Sequence, residues 1–381
     1  QLCHKTCPVI SISGSNGKGS CVALIEACAL QMDYKVGTYT SPHLLIYNER
    51  IKIAGKNVSD ETLIKAFDQI EQVREQILLT YFEFGTLAAL LIFKQANLDL
   101  MILEVGLGGR LDGVNIIDAD IAVISTIDID HSAWLGNDRE SIAQEKAGIL
   151  RANQMAICGD PNPPESLQLI VQQLNVRMAT QGQDFSYERQ PSSWTFHYDN
   201  QRIEDLPLPS LALQNSATAL RALISLQTLL PIDLSAIRKG LQSVCLAGRL
   251  QTIPGDITHV LDVAHNAQSI EHLATHLKQF SKKRQILAVF SMLADKDIAS
   301  AIRPLIHLIK TWFVAPVDNE RSAPSKELIN SLESYGIQHH QSAKNVLSAY
   351  QQALSQAQTG DIIVIFGSFY TVSPVLQFLI R

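Results

Sequence analysis

At 381 residues the chain is too long for one ordinary core, and two domains are expected. Hydrophobic residues make up 46% and charged residues 18%, the balance of a globular protein that buries a large core. The net charge of −6 argues against the basic face of a nucleic-acid binder. No apolar run reaches the roughly 18–20 residues needed to cross a bilayer, so no membrane role is expected. The opening Gln1-Leu2-Cys3-His4-Lys5 has neither an initiator Met nor a signal-peptide core, and it reads as an internal start. The six cysteines, Cys3, Cys7, Cys21, Cys28, Cys158 and Cys245, form no CxxC pair. They read as reduced, partly buried thiols of a cytoplasmic protein.

In chain order, the β-rich run Val9-Ile10-Ser11-Ile12 leads into a glycine cluster and then a helical pattern from Cys21 to Met32. A second apolar run, Lys35 to Tyr39, ends at Ser41-Pro42. Amphipathic stretches from Asp60 to Leu78 and Glu83 to Ala96 precede the runs Leu100 to Leu103 and Ala119 to Ile124. Strands alternating with helices of this length predict βαβ units and a mainly parallel sheet. From Gly182 to Pro209 the rhythm breaks, and Trp194 to Tyr198 reads as a short antiparallel strand. Helical patterns from Gln214 to Leu230 and Leu234 to Ser243 close the first domain, residues 1–245. Leu246-Ala247-Gly248-Arg249 reads as a hinge. Beyond it, Ile257 to Val263, Arg284 to Phe290, Thr311 to Ala315 and Asp361 to Phe366 predict a smaller α/β domain over residues 246–381.

Gly14-Ser15-Asn16-Gly17-Lys18-Gly19-Ser20 sits between a strand and a helix, where a phosphate cradle belongs. Glycines let backbone N–H groups approach phosphate; Lys18 can reach the β/γ-phosphates, and the Ser20 hydroxyl can ligate Mg²⁺. The spacing GxxGKGS varies the standard loop by one extra glycine. ATP or another nucleoside triphosphate is the ligand expected of it. Parallel sheets bind ligands beyond the carboxyl ends of their strands. Glu104 ends one apolar run, His131 follows the next in Asp128-Ile129-Asp130-His131, and Ser41 follows a third. Together they offer an oxygen and nitrogen shell for Mg²⁺. Lys146, in Glu145-Lys146-Ala147-Gly148-Ile149, reads on composition alone as part of a solvated helix face.

The ordered motifs go further. GSNGKGS, YTSPHL (Tyr39 to Leu44), NERI, LTYFEFGT (Leu79 to Thr86), LEVGLGGRLD (Leu103 to Asp112), DHSAWLG (Asp130 to Gly136), EKAGI, LAGR, DVAHN (Asp262 to Asn266), MLADKD and GSF occur in sequence. Across nearly the whole chain this resembles the folylpolyglutamate synthase/dihydrofolate synthase branch of the Mur ligase superfamily, the bifunctional bacterial enzymes in particular. The resemblance implies a P-loop domain of the Mur ligase central-domain type, followed by a smaller Rossmann-like glutamate-ligase domain. It also implies that Ser15, Asn16, Gly17, Lys18, Gly19 and Ser20 hold the ATP phosphates, and that Asn215 contacts adenine. Arg249, Asp262 and His265 would meet phosphate and ribose. Ser41, Glu104 and His131, with Ser20 as a further ligand, would bind two Mg²⁺ ions. Lys18, His131 and Lys146 would be catalytic, the last as a carbamate formed with CO₂, which reverses the reading from composition. Thr80, Tyr81, Phe82, Glu83, Leu111, Asp112 and Gly113 would line a pterin site, where Phe82 offers an aromatic face.

The implied reaction is ATP-dependent ligation of L-glutamate to dihydropteroate and to reduced folates, through an acyl phosphate, by a cytoplasmic monomer. A Mur ligase acting on a UDP-muramyl substrate and a P-loop regulatory ATPase are the alternatives. Ala247 and Ala267 stand where the family usually has Pro, and Leu111 to Asn115 reads LDGVN where LDATN is commoner. By the same resemblance, about forty residues that contribute to dihydropteroate binding are expected upstream of Gln1.

Overall fold

The computed structural model describes residues 5–280 and 284–380; Cys3 lies outside the described residues. The chain divides into two compact units, Gln1–Val244 and Cys245–Arg381. In the first, eight strands form one sheet. They are β1 (Val9–Ser13), β2 (Val36–Tyr39), β3 (Ile51–Ile53), β4 (Lys56–Asn57), β5 (Leu100–Glu104), β6 (Ile121–Ile124), β7 (Met155–Cys158) and β8 (Arg177–Thr180). Their order is β4-β3-β2-β5-β1-β6-β7-β8, parallel from β2 to β8 with an antiparallel edge at β3 and β4. The parallel α/β expectation is therefore met. β1, β2, β5 and β6 are buried along their whole lengths, as continuous apolar runs covered on both faces should be. Strand β1 lies between β5 and β6, with Ile12 beside Glu104 and Ser13 beside Ile124.

The expected strand at Trp194 to Tyr198 is the middle one of three. β9 (Phe185–Arg189), β10 (Ser193–Tyr198) and β11 (Gln201–Pro207) form a separate antiparallel sheet. Its inward residues Phe185, Trp194, Phe196, Ile203 and Leu206 are buried, while charged residues fill the outward positions of β9 and β11 and mask their alternation. Two helices begin or end away from their expected limits for local reasons. The helix Tyr81–Ala96 starts two residues early, because Thr80 and Glu83 cap its first turn reciprocally. The helix Asp60–Arg74 stops at Glu75, whose φ is +49°, so Ile77 and Leu78 fall outside the helix and lie exposed.

The second unit holds β12 (Gln251–Ile253), β13 (Thr258–Asp262), β14 (Ile286–Phe290), β15 (Thr311–Val314), β16 (His340–Ser342) and β17 (Ile362–Phe366). Their order is β12-β13-β17-β14-β15-β16, with all pairings parallel except β12 with β13. The three-residue strands β12 and β16, with Ile253 their one apolar residue, carried no apolar run. Phe290 stacks on Phe366 at 4.9 Å between ring centroids and meets Trp312 edge-on at 5.7 Å, all three fully buried. Removing one such ring leaves a void that packed neighbours fill only partly. Phe290→Ala is expected to cost about 3–5 kcal/mol; a denaturant titration showing less than about 1 kcal/mol would contradict this packing.

Candidate active site

The chain leaves β1, which lies between β5 and β6, and the glycine loop follows at once. Two glycines make that turn possible. A Cβ on Gly14 would lie 2.0 Å from the Ser125 Oγ. Gly17 has φ +84° and caps the helix Lys18–Leu30, and a Cβ there would lie 2.3 Å from the Asn215 Oδ1. The loop is tied to the segment after β6. The Ser15 N–H donates to the Thr126 carbonyl at 2.8 Å, and its hydroxyl donates to the Asp128 carbonyl at 2.7 Å. The Asn16 carbonyl accepts from the hydroxyls of Ser125 at 2.6 Å and Thr126 at 3.1 Å. Lys18 Nζ donates to the Gly14 carbonyl at 2.9 Å, across the loop. Gly19 and the buried Ser20 belong to the first turn of a helix with no acidic residue there, so its positive end is left for an external anion.

Glu104 ends β5 and is buried; its Oε2 accepts the Ser41 N–H at 3.0 Å. Next to it, a small pocket is lined by Gly14, Ser15 and Lys18 from the loop and residues 105–108 after β5. Asp130, His131 and Leu135 from the segment after β6, together with Lys146, complete it. His131 has φ +54° and donates its N–H to the Asp130 Oδ1 at 2.8 Å. Lys146, on the helix Arg139–Ala147, is only 3% exposed, contrary to a solvated helix face. Burial foremost, then the charge of Lys18, pushes its ammonium down to about 7, while Asp130 pulls the other way. The structure thus brings Ser41 to Glu104, and His131 to Lys18 and Lys146. Among the described residues no three His, Cys, Asp or Glu side chains form a metal-binding cluster.

The residues expected around a pterin divide into two kinds. Phe82 packs against Gly106, where a Cβ would lie 2.6 Å from its ring, and sits 5.7 Å from the Tyr39 ring. Gly113 lies close to Glu83, whose Cγ would be 3.4 Å from an added Cβ. Thr80 and Glu83 are occupied by the capping box: Thr80 N–H and Oγ1 donate to Glu83 Oε2 at 2.7 and 2.8 Å. Tyr81 is exposed, with the Arg50 guanidinium 5.3 Å from its ring centroid. Asp112 accepts from the N–H groups of Leu107 at 3.0 Å and Val114 at 2.9 Å, although burial still holds its carboxyl above the usual range. Leu111 is exposed.

In the second unit, Asp262 ends β13 and accepts from the N–H groups of Leu250 at 3.0 Å and Ala264 at 2.8 Å. Burial raises its pKa, opposed first by Arg249. The Arg249 guanidinium lies 5.2 Å from the Phe369 ring centroid, and His265 Nδ1 donates to the Val263 carbonyl at 2.8 Å. Gly367 has φ +117°, and a Cβ there would lie 1.9 Å from the Ser291 carbonyl oxygen, so the GSF loop presses against the end of β14. Arg249, Asp262 and His265 are therefore grouped at one strand end.

Three contributors escaped the sequence reading: Ser125 and Thr126, which hold the loop, and Asp130, buried in the pocket. Their signal was available, since Ser125 and Thr126 follow the apolar run Ala119 to Ile124 directly and Asp130 stands next to His131.

Two families match the chain in order, the Mur ligase middle domain over residues 12–203 and the Mur ligase, glutamate ligase domain over residues 248–369. A dihydrofolate synthase/folylpolyglutamate synthase of Escherichia coli (strain K12) is 40% identical over 369 residues, covering 97% of this chain and 86% of the relative. Among solved structures, Escherichia coli FolC in complex with DHPP and ADP matches with a TM-score of 0.94 at 39% identity, covering 99% of this chain and 90% of that one. A bifunctional folylpolyglutamate synthase/dihydrofolate synthase with Mn, AMPPNP and L-glutamate bound matches with a TM-score of 0.93 at 39% identity, covering 100% and 91%. With the loop, the strand-end acid and the buried lysine in the order that the motifs set, the chain belongs to the Mur ligase family, in its dihydrofolate synthase/folylpolyglutamate synthase branch.

Proposed function

We propose that this protein is an ATP- and Mg²⁺-dependent ligase that joins L-glutamate to dihydropteroate, forming dihydrofolate, and to reduced folates, forming folylpolyglutamates. The observation that carries the reading is the convergence of an acid-free helix N-terminus, Lys18, Lys146 and Glu104 at the carboxyl ends of β1 and β5 and beside the end of β6. Two cationic side chains repel each other there, which suits a polyanionic substrate. The substrate carboxylate attacks the γ-phosphorus of ATP, forming an acyl phosphate and breaking the bond to ADP. The neutral amine of glutamate attacks that acyl carbon, loses a proton, and the C–O bond to phosphate breaks.

Within this scheme, the backbone of Ser15 to Gly19 cradles the phosphates, and Lys18 meets the charge on the transferring phosphoryl group. Ser20, Ser41, Glu104 and His131 would hold two Mg²⁺ ions. Three of these present oxygen, and Glu104 is a buried carboxylate at the loop, so the donor set fits a hard cation. Magnesium, when bound, supplies positive charge to the phosphoryl oxygens. Asn215, set against Gly17, contacts adenine in this reading, while Arg249, Asp262 and His265 serve phosphate and ribose. Phe82, Asp112 and Gly113, with Thr80, Tyr81, Glu83 and Leu111 around them, bind the pterin. Lys146 fits a carbamate, because an amine held near 7 is available in its neutral, nucleophilic form. The ammonium first gives up one proton; the neutral nitrogen then bonds the carbon of CO₂ and releases a second, so that an anion able to position metal stands where a buried cation was. The enzyme acts in this reading as a cytoplasmic monomer.

The direct test is ADP release with dihydropteroate plus glutamate, then with a reduced folate plus glutamate, and with a UDP-muramyl substrate as control. Release only with the last would overturn the reading. Lys18→Ala should lower turnover on the order of a hundredfold or more with normal circular dichroism, and ligation within tenfold of the unsubstituted protein would remove Lys18 from the chemistry.

The carbamate makes a pH-dependent prediction. The Lys146 amine loses its proton as pH rises through about 7, so CO₂ capture improves with rising pH. Activity in CO₂-depleted buffer should fall and be restored by bicarbonate, more completely above pH 7 than below it. Lys146→Arg, which keeps the charge but cannot be carbamylated, should be nearly inactive. Near-normal activity of that variant rules the carbamate out.

A further inference from the structure

The chain has three tryptophans, of which Trp194 and Trp312 are fully buried and Trp134 is 79% exposed. An indole left in water beside a pocket is informative, because so large an apolar surface is normally covered. Trp134 stands on the short helix Ser132–Leu135, between two residues that line the pocket, His131 and Leu135. The helix is anchored, since the N–H groups of Trp134 and Leu135 both donate to the His131 carbonyl, at 2.9 and 3.0 Å. It also touches the segment that follows β5, where a Cβ on Gly108 would lie 3.0 Å from the Leu135 Cδ2. That segment exposes Leu107 and Leu111 and is itself tied down by the Leu107 N–H on Asp112. Two anchored segments therefore border the pocket with large apolar groups in water, while Lys18, Asp130 and Lys146 line it with charge.

We propose that Trp134 is a specificity-determining residue whose indole stacks on the flat aromatic portion of the acid substrate. The inference rests on the reading that this substrate is a pterin-bearing acid whose carboxylate is activated at Lys18. Charge inside and apolar surface at the rim match a molecule with a carboxylate at one end and flat rings behind it. Glutamate has no ring to stack, and the nucleotide is assigned to the loop and Asn215, which leaves the acid as the occupant of the rim.

Two measurements test this. In steady-state kinetics, Trp134→Ala should raise KM for dihydropteroate about tenfold and leave KM for ATP unchanged, while Trp134→Phe, which keeps a flat ring, recovers most of the loss. In acrylamide quenching read by fluorescence lifetime, only Trp134 is accessible, so the quenching constant of the unsubstituted protein should fall severalfold when dihydropteroate joins Mg-AMPPNP. With Mg-AMPPNP alone it should not fall. Protection by nucleotide alone, or no protection with dihydropteroate bound, overturns the proposal. So does an unchanged KM for dihydropteroate in Trp134→Ala, and the quenching arm stands even where that variant fails to fold. A protein that ligates no pterin acid at all would instead defeat the underlying function, and the ADP-release assay reads that outcome separately.

Discussion

The site depends on the clamp that fixes the loop Gly14 to Ser20 against the segment after β6. Backbone groups of Ser15 and Asn16, which would otherwise be free to turn, are held by Ser125 and Thr126, and the Ser15 hydroxyl is held by the backbone of Asp128. Those bonds fix the course of the loop, and the helix that starts at Lys18 carries no acidic residue in its first turn. The clamp in turn requires glycine at positions 14 and 17. A side chain at either would collide with Ser125 or Asn215, and at Gly17 it would also have to adopt φ +84°. The parallel sheet supplies the rest, since β5, β1 and β6 end together and deliver Glu104, the loop and His131 to one edge.

Electrostatics then sets the chemistry. Lys18 and Lys146 line one pocket, and Lys146 is almost wholly buried, with the Asp130 carboxylate favouring its charge. Holding two ammonium groups at such a place is costly, and the cost falls when either an anion arrives or Lys146 gives up its proton. In the proposed function, polyphosphate binding and carbamate formation are the two ways in which the same arrangement is relieved. Asp262 in the second unit shows a different solution. It too is buried, but two backbone N–H groups and the neighbouring Arg249 favour its charged form.

Much of this was legible in the chain itself. Continuous apolar runs such as Leu100 to Leu103 marked strands buried on both faces, and the polar residues directly after them marked the functional edge. The glycine loop and its flanking elements carried their own mechanism. What escaped had weak or misleading local signals. Strands β7 and β8 are four residues each, and the edge strands β12 and β16 are three residues each, with Ile253 their one apolar residue. Lys146 looked like a surface residue because the helix Arg139–Ala147 is polar in composition; only tertiary packing buries it. The capping box of Thr80 and Glu83, residues also expected at the pterin, is written in T-x-x-E and starts the helix at Tyr81 rather than at Glu83.

The measurement that bears most directly on this account is calorimetric titration of Mg-AMPPNP into Gly17→Ala beside the unsubstituted protein. A Cβ at this position demands a left-handed backbone and displaces Asn215, changes that cost about 1–3 kcal/mol at the loop. The account predicts affinity weakened about tenfold or more, with an unchanged circular dichroism spectrum. Equal affinity in the two proteins would contradict it, because the loop would then bind nucleotide without the geometry that its clamp imposes.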